Sequence, residues 1–108
     1  MNVSMPSALA SYFAAGGAAD PDVLERCFAP DAVVHDEGRV MRGLDAIKAW
    51  KMAARAKYEY HVTPMRVSTV GVTTTVLARV TGRFAGSPVE LTYTFQLANE
   101  KIASLEIH

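Results

Sequence analysis

The sequence predicts an α+β fold with helices first and a curved antiparallel sheet after them, and three observations predict it. Up to about Tyr58 the apolar residues recur at helical spacing. From Glu59 onward they alternate with polar ones. The alternating segments are joined by turns of only a few residues, which keeps successive strands antiparallel.

The elements follow in order α-α-β-β-α-β-β-β-β. Pro6 opens the first helix, since a proline in the first turn lacks only an N–H that has no partner there, and Leu9, Tyr12 and Phe13 form its apolar stripe. Gly16-Gly17 ends it. Asp20-Pro21 supplies an N-cap and first helical residue for a short second helix, with Val23, Leu24, Cys27 and Phe28 on its stripe and Pro30 as its stop. Ala32–His35 reads as a strand, Glu37-Gly38 as a turn and Arg39–Arg42 as the return strand of a hairpin. The third helix runs from about Leu44 to Tyr58. Leu44, Ile47, Ala54 and Tyr58 line one side with Trp50 beside them, and Lys48, Lys51 and Arg55 are read as its solvated face. Four long strands then form a meander: Tyr60–Thr69, a second from Val72 to Phe84, Val89–Leu97 and Ile102–His108. Val70-Gly71-Val72, Ala85–Pro88 and Ala98–Lys101 make the turns.

The 108 residues are read as one domain, 1–108. Eleven Lys/Arg balance eleven Asp/Glu without a basic run, so nothing electrostatic invites nucleic acid or an anionic membrane. The single Cys27 cannot form an internal disulfide, which suits a reducing compartment. Ala8–Ala19 is alanine-rich, but no basic residue precedes Arg26 to make it a secretory signal, so the cytoplasm is the expected location.

One arrangement of residues is familiar. Leu24-x-x-x-Phe28-Ala29-Pro30-Asp31-Ala32-Val33-Val34-His35-Asp36 is followed by Arg42-Gly43-Leu44-Asp45-Ala46-Ile47-x-x-Trp50 and by the closing stretch Phe95-Gln96-Leu97…Lys101–Ile107. With this element order the chain resembles the NTF2-like superfamily, in particular its SnoaL-like and ketosteroid-isomerase-like branch, from about Ser7 to Ile107. The resemblance implies a conical half-barrel: a bent antiparallel sheet wrapped around helices, with a central apolar pocket open at one end. Phe13, Val34, Trp50, Tyr58, Tyr93 and Phe95 are its expected pocket-lining or core residues. Because the superfamily holds isomerases, cyclases, dehydratases, epoxide hydrolases and non-catalytic proteins, it does not select a function.

Two residues carry the candidate chemistry. Asp36 leaves its strand on the same side as Val34, toward the expected pocket mouth. Set against the ketosteroid isomerases it matches the general base, and Tyr12 matches the tyrosine that donates a hydrogen bond to the developing oxyanion. Enolisation needs a base beside the α-carbon and a donor at the oxygen, in a site that excludes water. The second, protonated acid of those isomerases has no counterpart here, where the strand offers Leu91 or Tyr93. The plainer readings are a turn residue for Asp36 and a packed core residue for Tyr12. Glu106 is a second candidate acid if its side of the last strand, shared with Ile102, faces inward. His35, His61 and His108 show no ligand spacing, so no metal site is expected, and Cys27 reads as packing.

Three functions stay open. The first is a cofactor-free isomerase, cyclase or lyase working on a carbonyl compound by general acid–base catalysis. The second is a binding domain for an apolar or aromatic metabolite, and the third a dimeric interaction module. A homodimer is compatible with each.

Overall fold

The computed structural model describes residues 6–14 and 21–108, with the backbone alone at Ala14, Pro21 and Tyr58. The Gly16-Gly17 stop and the Asp20 cap lie outside the described residues. The observed order is α1 (Ser7–Ala14), α2 (Pro21–Cys27), β1 (Phe28–Asp36), β2 (Arg39–Arg42), α3 (Leu44–Tyr58), β3 (His61–Val70), β4 (Thr73–Thr81), β5 (Val89–Ala98) and β6 (Lys101–Ile107). The six strands form one open sheet in the order β2-β1-β6-β5-β4-β3. All neighbours are antiparallel except β1 and β6, which run parallel because the chain reaches β6 only after completing the meander.

The hairpin closes through Glu37 and Gly38, both at positive φ (52° and 74°), the backbone required by a two-residue turn matched to strand twist. Gly43 follows β2 at φ 85° and ψ 163°, a conformation that costs a residue with a Cβ dearly. Its N–H bonds the carbonyl of Ala32 at 2.8 Å, so the start of α3 is tied to β1. At the other end Glu59 adopts the left-handed conformation (φ 44°), and its N–H bonds the Arg55 carbonyl at 3.0 Å. That reversal tucks Tyr60 beneath the helix, where it is buried.

The core lies between the sheet and the helices. Tyr12 packs edge-on against Phe13, Phe28 and Phe95, with ring centroids 5.2, 5.9 and 6.0 Å away, and Phe13 meets Tyr93 at 5.5 Å. Across β4 and β5 the inward rows pair Thr74 with Phe95, Val76 with Tyr93, Ala78 with Leu91 and Val80 with Val89.

Three details differ from the sequence reading, and each has a local cause. β1 begins at Phe28, not Ala32: Phe28 pairs with Ile102, the register slips before Val33, and Pro30 sits inside that irregular stretch where its missing N–H costs no ladder bond. Val72, read both as a turn residue and as the first of a strand reaching Phe84, belongs to the turn alone and is exposed, and that strand, β4, ends at Thr81. On β6, one β5 step spans two residues (Gln96 opposite Ser104, Leu97 opposite Ile102), so Ala103 bulges. Ile102 and Leu105 are therefore both buried, and Glu106 lies on the opposite, exposed side, paired with His108 at 3.0 Å. A similar slip places Met65 between the Pro64 and Arg66 pairings of β3. Such bulges bend strands, which is how an open sheet curves around α1 and α3.

Candidate active site

β1 alternates Ala32, Val34 and Asp36 toward the interior, so the strand that buries two apolar residues delivers a carboxylate at its end. α3 crosses this end of the sheet and contributes Trp50 and Lys51. The Trp50 Nε1–H donates to Asp36 Oδ2 at 3.0 Å, joining helix to strand. A cavity of about 450 Å³ opens here, within the range of small-molecule sites. The sheet side is apolar, with Val80, Val89, Leu91 and Ile107, and Phe84 and Ala85 approach from the loop after β4. Its polar groups are Asp36, Glu37, Lys51, Tyr60, Tyr93 and the Trp50 indole.

Burial raises the Asp36 carboxyl above the usual carboxylate range, and the neighbouring Glu37 charge adds to that. The Trp50 hydrogen bond and the Lys51 charge pull the other way.

Lys51 is the unexpected member. It is 1% exposed, and its Nζ donates to the Tyr12 hydroxyl oxygen at 2.7 Å. The rings of Tyr12, Tyr60 and Trp50 surround that nitrogen, with centroids at 4.6, 5.0 and 5.1 Å. Burial pushes the amine down to about 7, with the Arg55 charge acting in the same direction and the Asp36 charge opposing. Tyr60 is pushed up to about 12 by its own burial, and Tyr12 and Tyr93 are raised too, chiefly for the same reason. All three phenols thus stay protonated at neutral pH. Arg55 is half-buried, and its guanidinium donates to the Tyr60 carbonyl oxygen.

Of the residues expected from sequence, Asp36, Trp50 and Tyr93 line the cavity. Tyr12, Phe13, Val34 and Phe95 do not: Tyr12 and its aromatic neighbours fill the core beneath Lys51, and Val34 lies two residues deeper on β1 than Asp36. The Tyr58 side chain lies outside the described residues. Lys51 was read as solvated, and the structure corrects this. Leu44, Ile47, Ala54 and Tyr58 leave one gap in a 3-4-3-4 spacing, and Lys51 fills it, so a cation standing in an apolar stripe was the available signal. Lys48, one turn earlier, does reach outward and pairs with Glu25 at 2.6 Å. His35 is exposed on the opposite face from Asp36, and Cys27 is fully buried with its thiol raised by desolvation. Among the described residues no three of His, Cys, Asp or Glu gather as a metal set, and no helix is long and apolar enough to cross a membrane.

A bent, open sheet wrapped over helices in this element order is the NTF2-like fold. The chain matches the SnoaL-like domain over residues 9–105 and belongs to that family. It is similar to a Sinorhizobium meliloti protein provisionally assigned as a polyketide cyclase, at 43% identity and TM-score 0.92, covering 96% of this chain and 95% of that one. It is also similar to a Catenulispora acidiphila protein with a ketosteroid-isomerase-like fold, solved with trimethylamine (25% identity, TM-score 0.84, 97% and 86% coverage). A SnoaL-like protein from Jannaschia shares the fold at 19% identity and TM-score 0.82, over the whole of this chain and 90% of that one. No curated protein matches the chain.

Proposed function

We propose that this chain is a cofactor-free isomerase or cyclase that enolises a carbonyl compound held in the apolar cavity, with Asp36 as the base. The observation that carries this is the shared wall: a carboxylate with a raised pKa and a buried amine line one apolar space, held by Trp50 and Tyr12. A base is stronger when its conjugate acid holds the proton more tightly, and desolvation supplies that here. Ionised Asp36 takes the proton α to the carbonyl, and the enolate oxygen is met by the Lys51 ammonium or by a phenol O–H of Tyr60 or Tyr93. Return of the proton to a different carbon isomerises the substrate. Attack of the enolate carbon on a second carbonyl closes a ring. Tyr12, one layer back, is a positioning residue for Lys51 in this reading. The 43% identical relative supports carbonyl chemistry as the class.

The test is α-proton exchange followed by NMR in D₂O, on a panel of cyclic and aromatic ketones. Exchange on a ketone that falls about a hundredfold or more in Asp36→Asn supports the base. Exchange that survives that substitution removes Asp36 from the chemistry, and exchange no faster than buffer on every ketone moves the reading to a binding domain.

A further inference from the structure

We propose that Lys51 is a nucleophilic amine that captures the carbonyl carbon of the bound ligand as an imine. This deepens the enolising site above and rests on its being a carbonyl pocket.

The case begins with what the position would otherwise hold. Lys51 occupies the buried seam of α3 between Ile47 and Ala54, where Leu or Met would pack with no polar group to satisfy. Burying an amine there without a carboxylate partner opposes folding, since a desolvated cation is costly unless paired. Among the described residues its hydrogen-bond partner is the neutral phenol of Tyr12. Lys48, by contrast, has its Glu25 carboxylate, and Lys101 reaches the Glu25 carbonyl oxygen.

The surroundings suit condensation. Lys51 lines the cavity together with Trp50 and Tyr60, two of the three rings flanking its nitrogen. Imine formation expels water, and an aromatic enclosure favours the dehydrated product. The ionisable groups around the amine are Tyr12 from α1, Asp36 and Glu37 at the β1 end, Arg55 on α3 itself, Tyr60 after it and Tyr93 from β5. Desolvation holds the amine near pH 7, so a large fraction is unprotonated at neutral pH.

The steps balance. The Nζ lone pair attacks the carbonyl carbon, and the proton lost by nitrogen goes to the oxygen, giving a carbinolamine. Asp36 takes up a proton from solvent and gives it to that hydroxyl, which leaves as water as the C=N bond forms. The products are an iminium cation, an Asp36 carboxylate and one water. That carboxylate is then the base for the adjacent C–H, and the iminium takes up the electron pair as an enamine. Asp36 returns its proton to a carbon of the enamine, restoring the iminium, and addition of water then releases the carbonyl compound and the free lysine.

The experiment uses the full chain with benzaldehyde and sodium cyanoborohydride at pH 7.5, mapped by peptide mass spectrometry over Lys48, Lys51, Lys57 and Lys101. Benzaldehyde has no α-hydrogen, so capture is read independently of enolisation. The expected result is a benzyl group appearing on Lys51 at least about tenfold faster than on the other three, because an ordinary lysine is almost wholly protonated at this pH. The capture rate should level off above about pH 7 to 8. Lys51→Arg keeps the cation and should lose this labelling with an unchanged circular dichroism spectrum. If that variant misfolds, the wild-type peptide map decides alone. Labelling of Lys51 no faster than of the surface lysines overturns the proposal. Asp36-dependent exchange without capture would leave the enolising reading and remove the imine. Capture without Asp36-dependent exchange would do the reverse.

Discussion

The indole N–H of Trp50 and the carboxylate of Asp36 meet at 3.0 Å, fourteen residues apart in sequence, and their bond locks α3 to the end of β1 at the cavity wall. It also opposes the desolvation that raises the Asp36 pKa, since a donor to a carboxylate favours the charged form. Trp50→Phe removes the donor and keeps most of the ring. The Asp36 pKa should then rise further, and the acidic limb of the exchange rate against pH should move to higher pH. An unmoved limb would mean that another group is the base.

Tyr12→Phe separates two roles for the tyrosine. As the acceptor for buried Lys51, its loss leaves Nζ unsatisfied and should destabilise the protein by about 1–3 kcal/mol in urea unfolding. Because Tyr12 does not line the cavity, exchange at saturating ketone should fall much less than in Asp36→Asn. A loss equal to that of Asp36→Asn would make Tyr12 the direct oxyanion donor.

Lys51 makes stability depend on pH with a definite sign. Its folded pKa, about 7, lies below its ordinary 10.5, so between those values the unfolded chain binds more protons than the folded one. Stability therefore rises with pH from about 7 toward 10, by about 3–5 kcal/mol if Lys51 acts alone. Above about 10 the raised phenols of Tyr60 and Tyr93 reverse the trend, because unfolding then releases protons. Lys51→Met should flatten the rise and be more stable than wild type at pH 6, as urea titrations across pH would show.

Gly43→Ala tests the hinge between β2 and α3. An added Cβ would meet nothing closer than the Pro30 carbonyl oxygen at 3.8 Å, so the penalty comes from the backbone angles rather than from a clash. A loss of about 1–3 kcal/mol is expected in urea unfolding.

Much of this protein was legible in its residues, though unevenly. The stripe of α3, the alternation of β4 and β5 and the Glu37-Gly38 turn are local patterns, and the elements they predict are present where expected. Asp36 could be aimed because only His35 separates it from Val34 on a regular stretch of strand. The side of Glu106 could not be read, because the bulge at Ala103 reverses the alternation and a bulge has no signature in a single sequence. Tyr60 was hidden for a related reason: only the left-handed turn at Glu59 sends it under the helix.

The sequence by itself determined the element order and the apolar faces, and it offered Asp36 and Glu106 as acids at strand ends, because those depend on neighbours a few residues apart. Only the tertiary structure decided which groups line the cavity and which support them from the core behind it. Tyr12 from α1 lies 39 residues from Lys51 on α3, and their 2.7 Å contact exists because the sheet curves both helices onto one core. That closure buries the lysine, and burial is what lowers its amine from the ordinary lysine range to about 7.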